Sequence, residues 1–583
     1  MALRYSSNRK SKLIVLFALV IALALPAGNR FVTNAESKSG SRSGIITAQQ
    51  GASSSIIYEA DGKIACRNAS ASEELSIASR GASQGLHVIT APRLQSGAGL
   101  QIILRATPAL DAAPQAKAAF MRAAAAWEAR IADPTTVIID VDFGPTWFGQ
   151  EFPQQLIGVT NPQMLIAPGF YFSILDALID TASSPQEEAL YEAMPLEPVP
   201  TDLGPTEDVL APSAVFRNLG FINSDPAADP AHFGPPPAIG FNSSLTFDFD
   251  PSDGIDAGKY DFEAAVSHEI GHVLGFVSAV GQRELNPDCD LAVTVWDLFR
   301  LRPGATVDSF SSADRILTSG GAQVFFEGNN ELQLSTGRPD STGGDGLQPS
   351  HWRDDSIVGQ RIGIMDPTLP AGSRQTMTMN DLAAIDFFGY TLKPFGNNRP
   401  VISTLSADLS GDVLTVTGAG SDVDGDVVKA QATFLDDSGG SLAQTAPFPL
   451  DFGIITTLSI KLGFTGMNGL VEATGLSLVL IDSRGNRSAP VTASFGAADP
   501  GGAKLSSASY ANGALKLKGK RLSSDMQVEV NGVLVVPPAL AGTGSPKRLT
   551  ILGSATELNI RAGSNRIRVI SGGQRSNILV ASL

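Results

Sequence analysis

The sequence predicts a multidomain α+β protein: a domain of mixed sheet plus helices, followed by two β-sandwich modules. Three observations carry this prediction. Residues 98–395 alternate strand and helix patterns around one histidine-bearing helix. Beyond residue 400 only short alternating strands remain, separated by Gly, Asp and Ser turns. The 583 residues include 59 glycines and 36 prolines with 17% charged side chains, a composition rich in loops and strands. This length allows three or four domains.

The chain opens with Arg4, Arg9, Lys10 and Lys12, then the apolar run from Leu13 to Leu25 with small residues Ala22, Ala24 and Ala27. A basic start, a short apolar core and small residues read as a signal peptide over residues 1–27. The run is short for a membrane span and no second one follows, so the expectation is a secreted chain without a transmembrane anchor. A net charge of −16 argues against nucleic acid and anionic membranes as partners. Residues 28–97 are rich in Ser, Gly and Ala and read as a leader or propeptide with no core of its own. The two cysteines, Cys66 and Cys289, are too few for a disulfide scaffold. Three states stay open for them: a latency thiolate at Cys66 placed on a metal, a Cys66–Cys289 disulfide, or idle thiols.

The mixed region begins with a strand at Leu100–Leu104, an alanine-rich helix over Ala113–Ile131 and a β-branched strand at Thr136–Phe143. After a long proline-interrupted segment, Ala238–Phe249 alternates as a strand, expected at a sheet edge where an extended peptide could add. Next comes Phe262–Phe276, containing His268-Glu269-Ile270-Gly271-His272. On a helix, histidines four apart project from one face and can grip one metal ion. Glu269 is rotated off that axis, placed to take a proton from water rather than to ligate. Helical histidines are usually structural. Here, however, two of only five sit at ligand spacing about a glutamate, housed by Ala265, Val266, Ile270, Val273 and Leu274. His87 and His232 match no motif and read as ordinary residues.

The residues alone leave the third ligand open among Ser278, Asp297 and His351. The pattern His-Glu-x-x-His-x-x-Gly, ending at Gly275, resembles the metzincin clan of zinc proteases. Ser350-His351-Trp352, followed by Ile364-Met365-Asp366-Pro367-Thr368-Leu369, resembles the leishmanolysin type, where an insertion precedes the third histidine. This resemblance implies a metzincin-like catalytic domain over residues 98–395, with Zn2+ held by His268, His272 and His351. It further implies Met365 as the Met-turn residue beneath the metal and Met379–Tyr390 as the closing helix. The function implied is that of a secreted zinc endopeptidase acting on protein or peptide substrates, with Glu269 as general base. Tyr390 is a candidate oxyanion stabiliser. The alternative from another class is a surface adhesin with an inactive or structural metal site, against which the general base Glu269 argues.

Pro394–Pro400 reads as a linker. Residues 400–497 carry the pattern of an immunoglobulin-like β-sandwich, and residues 503–583 that of a smaller module of the same kind. Asp422, Asp424 and Asp426 form a compact acidic loop, a candidate site for Ca2+. A plain acidic turn is the default there, because no distant bidentate glutamate is identifiable.

Overall fold

The computed structural model describes residues 46–49, 54–78, 85–90, 99–152, 156–250, 254–328, 330–339, 343–450, 452–495, 501–523, 525–535, 546–571 and 574–583. The signal peptide read over residues 1–27, with the leader up to residue 45, lies outside the described residues. From residue 46 onward the described residues form one compact unit. It is a mixed α and β structure with many sheets and few helices. Among the described residues no helix is long and apolar enough to cross a membrane.

The largest sheet has eight strands: β1 (Ser55–Ala60), β2 (Lys63–Asn68), β3 (His87–Val88), β4 (Gln101–Ala106), β5 (Thr136–Gly144), β6 (Leu156–Asn161), β7 (Ala238–Asn242) and β8 (Thr368–Pro370). Their spatial order is β8-β2-β1-β6-β7-β5-β4-β3. Only β7–β5 and β5–β4 pair in parallel. The isoleucines, valines and phenylalanine of β5 are nearly all buried, as expected of a central strand covered on both faces.

Two expectations are corrected here. Residues 28–97 were expected to bear no core, yet Ile56, Ile57, Ile64 and Cys66 are buried. Asp61 and Gly62, both at positive φ (52° and 74°), close β1 and β2 into a two-residue hairpin. That hairpin joins β6 on one side and β8 on the other. The strand expected over Ala238–Phe249 at a sheet edge ends at Asn242 and is internal, paired with β5 and β6. Its alternation fails because β7 is buried along most of its length.

Two helices cross the sheet, α1 (Pro114–Glu128) and α2 (Phe262–Leu274). Trp127 of α1 donates from Nε1 to Ser267 O of α2 at 3.0 Å. Phe262 opens α2 inside a cage of rings: Phe120, Phe143, Phe241, Phe247 and Phe249 stand 4.9–5.5 Å away, centroid to centroid. These edge-on contacts fix where the helix starts relative to β5 and β7. A last helix, α3 (Met379–Phe387), closes this region, capped by Thr378 and Asp381.

Beyond residue 400 every strand pairing is antiparallel. Residues 401–494 form a three-stranded and a five-stranded sheet around a core that includes Leu414, Val416, Ile460, Leu478 and Leu480. Residues 504–582 repeat the arrangement around Leu515, Leu517, Val528, Ile551 and Ile567. The two are not wholly separate, since Ile578 joins the first of these cores.

Candidate metal centre

Helix α2 is anchored at both ends. Asp261 caps its start, accepting from Ala264 N at 3.0 Å while pairing with Arg374 at 2.7 Å. Gly275 ends it at a φ of 143°, open to glycine and strained for other residues. From Ala264 to Leu274 every residue is buried.

The structure brings His268, His272 and His351 together, with ring centroids 4.9–5.0 Å apart. Each Nδ1 meets a backbone carbonyl: His268 that of Ile364 at 2.8 Å, His272 that of Phe276 at 2.6 Å, His351 that of Gln348 at 3.0 Å. A carbonyl only accepts, so each Nδ1 carries the proton and each Nε2 presents a lone pair. The His268 and His351 Nε2 atoms face each other at 2.9 Å, and that of His272 is buried with no hydrogen-bond partner. Burial holds His268 down to about 4 and His272 to about 3, and pulls His351 well below the usual imidazole range. The rings are therefore neutral at pH 7, as ligands must be. Three converging lone pairs, with only the Cys66 thiol near enough to donate to one of them, fit a divalent, imidazole-binding ion such as zinc.

Glu269 lies beside this group, its Oε2 buried and unpartnered. Burial pushes its carboxyl up to about 8. Met365 lies under the helix: a Cβ on Gly271 would stand 2.5 Å from its Sδ. The second variable position of the motif thus has to be glycine, a requirement the spacing alone did not disclose.

Ser278 and Asp297, the other two candidates for third ligand, are bonded to each other at 2.7 Å, and Asp297 pairs with the fully buried Arg300. Ser278 N donates to Ser350 Oγ at 3.0 Å, and Arg300 donates to Pro349 O. They hold the loop that presents His351. Tyr390, named as a candidate for the oxyanion, is buried near Asp133 and Arg217 and does not line the pocket around Glu269. His87 pairs with Asp111 at the surface, and His232 is exposed.

Cys66 and Cys289 are both free, so the disulfide expected as one alternative is absent. Cys289 is half-buried beside Arg283 and Asp290. Cys66, on β2, puts its Sγ 3.8 Å from His268 Nε2 and 4.0 Å from Glu269 Oε1. Burial, then Glu269 and Asp366, push its thiol well above the usual range. An ion at the histidines would reverse this, since a coordinating thiol is deprotonated.

One functional residue escaped the sequence reading. Asp381 is fully buried and accepts from Trp352 Nε1 at 2.8 Å, Ile364 N at 2.8 Å and Thr378 N at 2.7 Å. It ties the residue after His351, the carbonyl partner of His268 and the start of α3 into one cluster. The signal was the capping pair Thr378-x-x-Asp381.

No family model matches the sequence, and no curated protein matches it.

Two outcomes follow from this geometry. His351→Ala should lower zinc affinity by orders of magnitude while Ser278→Ala keeps it, read as metal content after dialysis. Full zinc in the first and loss in the second would overturn the ligand set. Asp381→Ala strands several buried donors, each costing about 1–3 kcal/mol. It should therefore lower the melting temperature clearly, and weaken zinc about 10–100-fold as a lost supporting contact.

Proposed function

We propose that this chain is a secreted zinc endopeptidase with a metzincin-like catalytic domain followed by two immunoglobulin-like modules. One observation carries the proposal: three neutral imidazoles converge beside Glu269, a buried acid whose Oε2 has no hydrogen-bond partner. A purely structural metal site has no need of that carboxylate. Also in support are Met365 beneath α2 and the closing helix α3. When bound, zinc would polarise the scissile carbonyl and acidify the attacking water. His268, His272 and His351 would hold it, their orientation fixed through Nδ1. Glu269 takes the proton of the water at Oε2 and passes it to the leaving amine. Burial alone favours its protonated form, pushing its pKa up to about 8; the positive charge of a bound zinc would lower it and leave the carboxylate free to accept that proton.

The β1–β2 hairpin supports a latent form. It lies between β6 and β8, beside the histidines, and leaves a cavity of about 30 Å3 lined by Ile57, Ile64, Cys66, His268 and Glu269. Ligand clefts usually offer about 300–1,000 Å3. With the hairpin in place no peptide fits, and Cys66 is poised to occupy the open position on zinc. With the hairpin gone, β6 becomes an edge on which an extended peptide can pair.

Glu269→Gln should keep zinc and the fold yet lose about 10²–10⁴-fold in peptide hydrolysis. Equal hydrolysis by the variant and the parent would refute the mechanism. A specific cleavage site introduced between residues 90 and 99 tests latency. Cutting there and removing the released hairpin should raise hydrolysis of a small peptide. Unchanged or lower activity after its removal would assign the hairpin to the mature enzyme.

A further inference from the structure

The acidic loop after residue 421 holds a feature unrelated to the histidine centre. One carboxylate oxygen from each of Asp422, Asp424 and Asp426 lies within 4.8 Å of the others. All three residues are nearly inaccessible, with relative exposures of 1%, 9% and 2%. Most of their oxygens are engaged. Asp422 accepts from Asp424 N at 3.4 Å and Asp426 N at 3.2 Å. Asp424 accepts from Asn398 N at 2.7 Å and Asn398 Nδ2 at 3.0 Å, and Asp426 Oδ2 accepts from Ser483 Oγ. Asp426 Oδ1 is buried and accepts nothing.

A buried carboxylate oxygen without a donor, in a group of three carboxylates, concentrates negative charge. Arg130 offsets part of it, acting on Asp426 and Asp424. Its Nη2 donates to the Asp424 backbone carbonyl at 2.9 Å, while its guanidinium lies 4.5 Å over the Phe395 ring. Arg484 is the other cation acting on Asp424. What the cluster lacks is a cation at its centre. An all-oxygen set of carboxylates suits a hard divalent ion, and oxygens up to 4.8 Å apart can share one at calcium's bond length of about 2.3–2.6 Å.

We propose that Asp422, Asp424 and Asp426 form a calcium site that fastens the first β-module to the mixed domain. The fastening follows from who touches the loop. Asn398 belongs to the connecting segment, and a Cβ on Gly396 would stand 2.0 Å from Asp424 Oδ1. Arg130 follows directly on the end of α1. Ser483 lies on the far side, next to the strand Gly475–Asp482 of the module. An ion held by Asp424 fixes the connecting segment, and through Asp426 it fixes the module. The second acidic group, Asp354, Asp355 and Asp366, differs: among its atoms none is buried without a partner.

The test is calorimetric titration of the purified full chain with calcium chloride, alongside magnesium chloride. One calcium should bind with a dissociation constant on the order of 10⁻⁴ M, as expected for a small set of carboxylates, and magnesium much more weakly. Asp426→Asn should weaken uptake about tenfold or more, because one ligand charge is lost. In the unmodified chain, calcium should also slow proteolytic cutting between residues 394 and 400, a readout independent of any variant. No saturable calcium uptake by the parent chain would overturn the proposal. So would uptake unchanged in Asp426→Asn, or cutting between 394 and 400 that ignores calcium.

Discussion

The constraint on which the rest depends is the tethering of three imidazoles by their Nδ1 atoms to backbone carbonyls. Those carbonyls come from separate places: Ile364 before Met365, Phe276 after the helix end, and Gln348 before His351. Each bond sets a tautomer and a ring angle together, and so directs the three Nε2 lone pairs toward one place. Holding them so costs energy. The protein meets that cost with a buried frame: Asp381 bonded to Trp352 and Ile364, and Asp297 with Arg300 behind the loop of His351. Trp352, Trp296, Phe276 and Phe388 pack against one another beside it. Such a frame makes the centre rigid and couples metal binding to folding.

Much of this centre was legible in the sequence because helix geometry is local. A spacing of four from His268 to His272 suffices to place both on one face, and Gly275, three residues further on, marks the end. His351 was legible only through the grouping of Ser-His-Trp and a methionine turn. Distance along the chain says nothing about distance in space, and what Asp297 does instead, buried like His351, could not be read from pattern. Its ion pair with Arg300 is a tertiary fact. Asp381 was hidden for the same reason: its capping role shows in sequence, while its bonds to Trp352 and Ile364 do not.

The hairpin at residues 55–68 marks the opposite failure. Its local signals were present, an Ile-rich strand, Asp61-Gly62 and a second alternating strand. The Ser- and Gly-rich surroundings outweighed them, since average composition over the seventy residues 28–97 conceals the twelve that form these two strands. Position misled likewise at Ala238–Asn242. A strand just ahead of a metal helix was read as an edge, but β7 lies between β5 and β6, and β6 pairs in turn with β1 of the hairpin. Which strand is at the edge depends on whether the hairpin is counted, and composition cannot decide that.

Unpaired buried polar atoms connect the two centres. Folded chains leave few such atoms, and each asks for a reason. His272 Nε2 and Glu269 Oε2 belong to one centre, and Asp426 Oδ1 to the other. In the first, three imidazole nitrogens converge beside Glu269, a donor set that suits a borderline ion. In the second, carboxylate oxygens hold the connecting segment, a donor set that suits a hard ion. An ion held among the oxygens cannot easily replace one held by imidazoles. The two demands can therefore be met in one chain without competition, and each is open to test while the other is left intact.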